Sequence, residues 1–387
     1  MSHFSTIPAI LLLSLPPSIL VGIDLLTFTT SPNFLGIKNL PPGWHFLYTS
    51  ETTSFSIRDG FWFHIPAPSP SPNSPTLIVR KWDSATSNLI PCSKDEEDKA
   101  AEGLEGIWRE RLTPYRQSAG GEEKGDWAVL TRHITPALLS RLTGSETDWR
   151  ITTASCGAQD ADHIPGLSAA ETGLEERELR FLGIDLKRTW RAGAVGRERT
   201  EAVLDRSWAL GEVEKRFSSE GDGGGDVVMG EMEVCFLMVL TVANYSCLEE
   251  WKRVLGLVLT CRRALRARER WFAGILELLR RQLERGDDVE GGLFDMGDDG
   301  GAYLKGLLKG FKMILGQVFG QGEGDDVKEE LEELEVFLKA EYGWELSDAF
   351  VRKGMLELED GEQIEMELED MEGEDERGEY APVVVEL

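Results

Sequence analysis

A chain of 387 residues with 41% hydrophobic side chains carries enough apolar material for more than one buried core, which excludes a wholly disordered protein. Its 69 acidic residues against 41 Lys and Arg leave a net charge of −28. That balance argues against unaided binding to a phosphate backbone, which needs clustered cations to displace counterions, and fits a basic partner or mimicry of nucleic acid.

The opening, Ile7 to Leu15 and Ile19 to Phe28, reads as two strands joined at Pro16-Pro17-Ser18. A secretory leader is disfavoured, because no Lys or Arg precedes the apolar run and Pro8, Pro16 and Pro17 interrupt a helix. Both segments are expected to pair in one sheet with the strands C-terminal to them. From Gly22 to Phe63, apolar or aromatic runs (Ile23 to Phe28, Phe34 to Ile37, Trp44 to Tyr48, Phe61 to Ile65) alternate with turn formers (Ser31-Pro32-Asn33, Pro41-Pro42-Gly43, Asp59-Gly60). Strands joined by tight turns are written in this way. Pro66 to Pro75 is a Pro/Ser loop, after which Thr76 to Trp82 resumes the sheet.

Helical spacing begins after Asp95, with Leu104, Ile107, Trp108 and Leu112 at intervals of three and four. A second short helical pair covers Trp127 to Leu130 and Thr135 to Leu142, Thr135 serving as N-cap and Pro136 opening the helix. Ser145 to Leu174 reads as a long irregular connection. The segment from Leu179 to Leu210 is locally basic, read as a solvated face that pairs with acidic regions rather than as a dedicated anion site. Ser218 to Gly225 is a Gly/Asp loop.

Beyond it the period is helical. Val227 to Ala243 is apolar nearly all round, the mark of a buried central helix. Ser246 and Glu249 read as a capping box ahead of Leu248, Trp251, Leu255, Val258 and Leu259. Three further stripes follow, from Trp271 to Leu283, Leu304 to Val318 and Val327 to Leu338, the last closed by Gly343. From Glu357 to Glu379 the only basic residue is Arg377, so a disordered acidic tail is expected, yet it ends in Tyr380-Ala381-Pro382-Val383-Val384-Val385-Glu386-Leu387, a burst of strand formers.

The predicted fold is therefore α+β. A β-rich, sandwich-like domain with a few helices spans 1–165, a linker with the basic segment and the Gly/Asp loop spans 166–226, an all-α antiparallel helical bundle spans 227–346, and the acidic tail spans 347–387.

Chemistry is sparse. The histidines His3, His45, His64, His133 and His163 show no H-E-x-x-H or H-x-H spacing, and neither a G-x-S-x-G elbow nor a phosphate-binding G-x-x-x-x-G-K-[ST] loop is present. Asp295 to Gly300 fails as a calcium loop, because Gly297 replaces a ligand and Gly306 stands where the bidentate Glu belongs. Cys92, Cys156, Cys235, Cys247 and Cys261 are odd in number and lack any C-x-x-C pair, so neither a disulfide framework nor a zinc site is indicated and a reducing compartment is expected. His45 reads as a structural strand residue, and Asp24 as a turn or bulge residue accepting backbone N–H groups.

The order of the opening signals resembles the Aar-type cistron-splicing factor family, fungal branch. Its I-D element falls on Ile23 and Asp24, after Gly22. Its F-x-G-I-K element falls on Phe34, Gly36 and Lys38; P-P-G-x-H-F on Pro41, Pro42, Gly43, His45 and Phe46; R-x-G-F on Arg58, Gly60 and Phe61. The C-L-E-E-W-K-R-V-L-G-L and D-V-E-G-G-L-F-D-M stretches extend the resemblance over the helical part. It implies mainly structural roles for these motif residues and a non-enzymatic factor, without cofactor, metal or catalytic residue. It further implies binding to the C-terminal RNase-H-like and Jab/MPN domains of the Prp-eight scaffold protein in the precursor U5 snRNP, holding helicase and RNA away until maturation. Such a factor is expected in cytoplasm and nucleus, monomeric alone, with no direct contact to nucleic acid or membrane. Tyr380, Pro382, Val383, Val384, Val385 and Leu387 are its expected partner-binding tail, added as a strand to a sheet edge. The alternatives are a hydrolase using His45 and Asp24, and a trafficking adaptor, which the charge disfavours.

Overall fold

The computed structural model describes residues 8–51, 57–67, 77–115, 126–156, 178–217, 224–294 and 301–346, together with two strands at 352–357 and 363–368. The chain forms two compact units. The first comprises Met1–Leu182, Asp226–Trp251 and Asp288–Glu290; the second comprises Gly183–Gly225, Lys252–Asp287 and Gly291–Leu387.

The first unit is a sandwich of two five-stranded sheets. One contains β1 (Ala9–Leu13), β4 (Gly36–Lys38), β7 (Leu77–Asp83), β8 (Asn88–Pro91) and β9 (Leu112–Pro114), in the order β8-β7-β1-β4-β9. The other contains β2 (Leu20–Ile23), β3 (Leu26–Thr29), β5 (Gly43–Ser50), β6 (Asp59–Ile65) and β10 (Arg150–Thr152), in the order β10-β6-β5-β2-β3. Strand β1 reads Ala-Ile-Leu-Leu-Leu without a polar break because both of its faces are covered. Ile10 and Leu12 face the core between the sheets with Val21, Ile37, Leu47 and Phe61, while Ala9 and Leu11 pack outward with Leu104 and Trp108. The outward layer comes from α1 (Lys94–Glu102) and α2 (Leu104–Ile107), separated at Gly103.

The outer face of the second sheet is aromatic. Trp62 stacks on Trp127 at 5.8 Å between ring centroids, and Trp44 meets Trp149 edge-on at 5.3 Å. Trp127 lies on α3 (Asp126–Leu130), which leads to α4 (Pro136–Thr143), where Thr135 caps the helix by accepting from the Leu138 N–H at 3.2 Å.

Two glycines make room on that face. Gly22 and Gly60 lie directly opposite Tyr48 on the strands to either side of β5. A Cβ on Gly22 would sit 2.0 Å from the Tyr48 ring, and one on Gly60 would sit 2.4 Å from the Phe46 ring, so only a residue without a side chain lets these rings lie across the sheet.

In the second unit α5 (Arg197–Leu204) and α6 (Ser207–Phe217) precede α7 (Gly224–Val242), whose later part belongs to the first unit, and α8 (Tyr245–Val258) passes from the first unit to the second after Trp251. Next come α9 (Arg262–Ala267), α10 (Glu269–Leu283), a 3-10 turn at Gly286–Asp288, α11 (Ala302–Val318) and α12 (Asp325–Tyr342). Gly343 closes α12 at φ 65°, as its position after the last apolar residue predicts.

Several expectations change. Ile7 to Leu15 and Ile19 to Phe28 do not share a sheet: β1 enters the first, and the second segment breaks at Asp24 (φ 55°) into the hairpin β2–β3 of the other. A polar residue in the left-handed region turns the chain where an apolar run alone reads as one strand. Leu112 lies on a strand rather than a helix, and the short strands β8 and β10 have no clear signal in the sequence. The cap of α8 is Asn244, whose Oδ1 accepts from the Cys247 N–H at 2.9 Å, so the helix starts ahead of the Ser246–Glu249 pair. Short loops account for α11 running back along α12, but α10 and α12 run side by side in the same direction. Glu269 and Arg270 lie by Asp326, Arg280 lies by Glu333, and the Tyr342 hydroxyl donates to the Leu283 carbonyl at 2.9 Å. Within the acidic tail, β11 (Arg352–Glu357) and β12 (Gln363–Leu368) pair as an antiparallel hairpin.

Gly22→Ala is expected to cost about 1–3 kcal/mol through overpacking against Tyr48. Denaturant unfolding checks this: Gly22→Ala combined with Tyr48→Ala should cost less than the sum of the two single changes, and strict additivity would refute the contact.

Candidate functional site

The motif residues converge on β5. Asp24, in the β2–β3 turn, is fully buried and exchanges backbone bonds with Phe46: its N–H donates to the Phe46 carbonyl at 2.8 Å, and its Oδ1 accepts from the Phe46 N–H at 2.9 Å. Its other oxygen faces His45 Nδ1 at 2.8 Å and also accepts from the Tyr115 hydroxyl. His45 Nε2 lies 2.8 Å from the Pro41 carbonyl. Both ring nitrogens thus meet groups that only accept, so both carry protons and the ring is an imidazolium. Burial opposes that charge, but the Asp24 carboxylate and the Pro41 carbonyl outweigh it, and the His45 pKa is raised. Tyr115 follows β9 of the other sheet, so the pair ties the two sheets together at this end of the sandwich. Burial beside the Asp24 carboxylate raises the Tyr115 pKa.

Arg58 anchors a helix end. The last carbonyls of any helix lack an internal partner and carry partial negative charge. At the end of α7, Arg58 Nη1 donates to the Thr241 carbonyl at 2.8 Å, and the Thr153 hydroxyl donates to the Val242 carbonyl at 2.7 Å. Arg58 is also ion-paired to Glu290 and lies 5.9 Å from the Tyr48 ring centroid. Burial, together with Glu290 and against Arg58, pushes the Tyr48 hydroxyl up to about 12. Asn244, just beyond α7, donates to the Thr152 carbonyl at 2.8 Å and to the Ser155 carbonyl at 2.5 Å, stitching the same helix end to β10.

The remaining motif residues position backbone. Ile23 and Phe61 fill the core between the sheets, and Phe34 joins them, edge-on to Phe28 at 5.2 Å. Gly36 lies against β1, where a Cβ would meet the Ile10 carbonyl at 2.0 Å. Lys38 Nζ donates to the Trp108 carbonyl at 2.5 Å and lies 5.5 Å from that ring, holding the end of α2. Pro42 is exposed and Gly43 takes φ 133° at the entry to β5.

Two carboxylates escape a sequence reading. Glu231 and Glu233 stand in the apolar run of α7, both fully buried. Glu231 accepts from the Leu182 N–H at 2.7 Å and pairs with Arg141. Burial raises its pKa against the opposing pull of Arg141. Glu233 accepts from the His133 N–H at 2.8 Å and from its Nδ1 at 2.7 Å, and burial pushes its pKa up to about 7 despite those donors. Gly230, just before them in the helix, brings α7 onto the α3–α4 corner, where a Cβ would meet the His133 carbonyl at 2.6 Å. The only hint in the sequence is two acids inside a run otherwise too apolar to carry them.

Among the described residues no group of three or more His, Cys, Asp or Glu could hold a metal ion, and none of the helices is long and apolar enough to cross a membrane. Cys92, Cys235, Cys247 and Cys261 form no disulfide. A shallow depression in the second unit, bordered by Arg266, Glu269, Arg270, Phe319 and Asp326, is occupied by its own ion pairs, with Arg270 Nε 3.1 Å from Asp326. The expected tail residues Tyr380, Pro382, Val383, Val384, Val385 and Leu387 lie outside the described residues, as do His3, His163 and Asp295 to Gly300.

These roles define the class: an α+β protein with a β-sandwich unit and a helical unit, in which the motif residues bind the chain to itself. A family model described as the AAR2 N-terminal domain matches residues 6–144, and one described as the AAR2 C-terminal repeat region matches residues 181–347. The chain belongs to the AAR2 family, as the opening motif indicates. Among curated relatives, the mouse protein AAR2 homolog is 24% identical over 302 residues, covering 71% of this chain and 74% of its own length. The Caenorhabditis elegans homolog is 23% identical over 371 residues, covering 87% and 94% respectively.

Asp24→Asn leaves the His45 cation buried without its counter-charge and is expected to cost about 3–5 kcal/mol. A raised folded-state pKa for His45 means stability that is complete below the ordinary value of 6.5 and lost as pH rises through the raised value. Glu233 acts in the same sense at lower pH, between its ordinary 4.5 and about 7. Urea unfolding across pH should therefore show stability falling toward alkaline pH, with Glu233→Gln flattening the lower part of the slope and Asp24→Asn the upper. Slopes identical to the parent in both variants would assign the titration to other groups.

Proposed function

We propose that this chain is a non-enzymatic assembly factor of pre-mRNA splicing. It binds the C-terminal RNase-H-like and Jab/MPN domains of the Prp-eight scaffold in the precursor U5 snRNP, keeps helicase and RNA from that surface, and works in cytoplasm and nucleus as a monomer until it meets its partner. Membership of the AAR2 family supports the splicing role. The observation that carries the non-enzymatic reading is the state of His45, whose two ring nitrogens are both engaged and which is only 1% exposed. A base needs a lone pair within reach of substrate, so this geometry weighs against the hydrolase alternative. The net charge of −28 suits a partner whose basic surface otherwise takes RNA, and attraction over distance speeds such an encounter.

On this reading the tail adds a strand to an exposed sheet edge of the partner, Val383 to Val385 supplying stiff β-branched side chains and Pro382 standing where a missing N–H is tolerated. Val384→Pro should weaken binding to the partner's C-terminal domains by at least ~10-fold, or about 1.4 kcal/mol, in titration calorimetry. Unchanged affinity would make the tail a bystander. Added salt should slow association more than it speeds dissociation, and an on-rate indifferent to salt would remove the electrostatic argument.

A further inference from the structure

We propose that the corner between α5 and α6 is a docking surface for this chain's own acidic C-terminal segment, residues 369–387. The inference is independent of the splicing partner, since it concerns this chain alone.

Helix α5 has no buried residue. A helix of eight residues gains little from its own hydrogen bonds and depends on packing an apolar face. Here the apolar residues point outward instead: Val203 is 44% exposed, Leu204 57%, and Trp208, in the first turn of α6, 39%. The helix is held from behind by side chain to backbone bonds. The Thr189 hydroxyl donates to the Ala202 carbonyl at 2.8 Å, and Arg199 Nε donates to the Ala194 carbonyl at 2.6 Å. Three large apolar side chains within six residues of one corner form a patch of the kind that a partner covers.

Two exposed arginines edge the patch. Arg197, two turns before Leu204 on the same face, has a side chain 92% exposed and pairs only with Glu201 of its own helix among the described contacts. Arg263 of α9, 74% exposed, is held at the corner by Asp205 at 2.7 Å. Each of these exposed guanidinium groups is shared with one carboxylate side chain of the corner, which a run of acidic residues can replace, so the patch fits a segment that is apolar at one end and acidic along the rest.

Residues 369–387 have that composition: eight Asp or Glu against Arg377 as the one basic residue, ending in Tyr380-Ala381-Pro382-Val383-Val384-Val385-Glu386-Leu387. The hairpin β11–β12 pairs Arg352 with Leu368, returning the chain to where it entered, so residues 369–387 start beside Arg352. From there they can extend by roughly 60 Å at about 3.3 Å per residue, ample reach to any point of a compact unit. The tail's apolar end covers Val203, Leu204 and Trp208, and the acidic run lies along Arg197 and Arg263.

The test is hydrogen–deuterium exchange by mass spectrometry on the full chain, following amides of 379–387 and of 198–210. Docking predicts tail amides slowed by roughly tenfold or more relative to an unstructured peptide. That protection should be lost in 0.5 M NaCl and in Leu204→Asp combined with Trp208→Ala, both exposed positions whose change leaves circular dichroism unaltered. The reciprocal Val384→Asp should speed exchange in 198–210. Tail amides that exchange freely in the parent chain overturn the proposal, as does protection that survives the Leu204/Trp208 change. Protection that grows with protein concentration also overturns it, since the occupant is then a second copy.

Discussion

The sandwich depends on one buried ion pair. Asp24 and His45 are expensive to remove from water, and their attraction offsets that cost only because every remaining polar atom is used: the carboxylate takes the Phe46 N–H and the Tyr115 hydroxyl, and the imidazolium takes the Pro41 carbonyl. Satisfying all of them fixes four separate pieces of chain at once, namely the β2–β3 turn, the entry to β5, the Pro41 corner and the end of β9. An apolar substitute of equal volume could fill the space without specifying which strands meet there. The pair therefore sets register more than it adds stability, and the short spacings of the opening motif follow from it.

The strands and most helices were legible because their signals are local. Pro41 and Pro42 precede β5, Thr135 and Pro136 announce α4, and Gly343 closes α12, whereas Asp59 and Gly60, which read as a turn, are the first two residues of β6 and pair with Thr49 and Tyr48. What failed depended on distant residues. Nothing near Ile7 to Phe28 tells that β1 pairs in parallel with β7 while β2 turns into another sheet. Asn244 outcompetes Ser246 as a cap because its amide also reaches β10, about 90 residues earlier in the chain.

The candidate site divides in the same way. Residue types and order were enough to read Asp24 as a turn residue that accepts a backbone N–H and His45 as a strand residue, but not the bond between the two. The partners of Arg58, Thr241 and Glu290, stand 183 and 232 positions away, beyond the reach of any local signal. Glu231 and Glu233 were hidden by the apolarity of their helix, their partners Arg141 and His133 lying 90 and 100 residues back. Since these groups are spent on internal bonds, recognition falls to the surfaces that remain, where charge and exposed apolar side chains decide what can bind.

The first unit is built from three separated stretches of chain, and this discontinuity constrains its synthesis. The two sheets emerge early from a ribosome, but Arg58 and Thr153 find the carbonyls of Thr241 and Val242 only after the whole of α7 has been translated. Until then the Arg58 guanidinium and the Thr153 hydroxyl remain without their final partners. Contacts of such sequence separation are slow to form, and partly folded intermediates with open apolar faces are prone to aggregate. The first unit of a nascent chain therefore stays incomplete while the residues between Leu182 and Trp251 are being made.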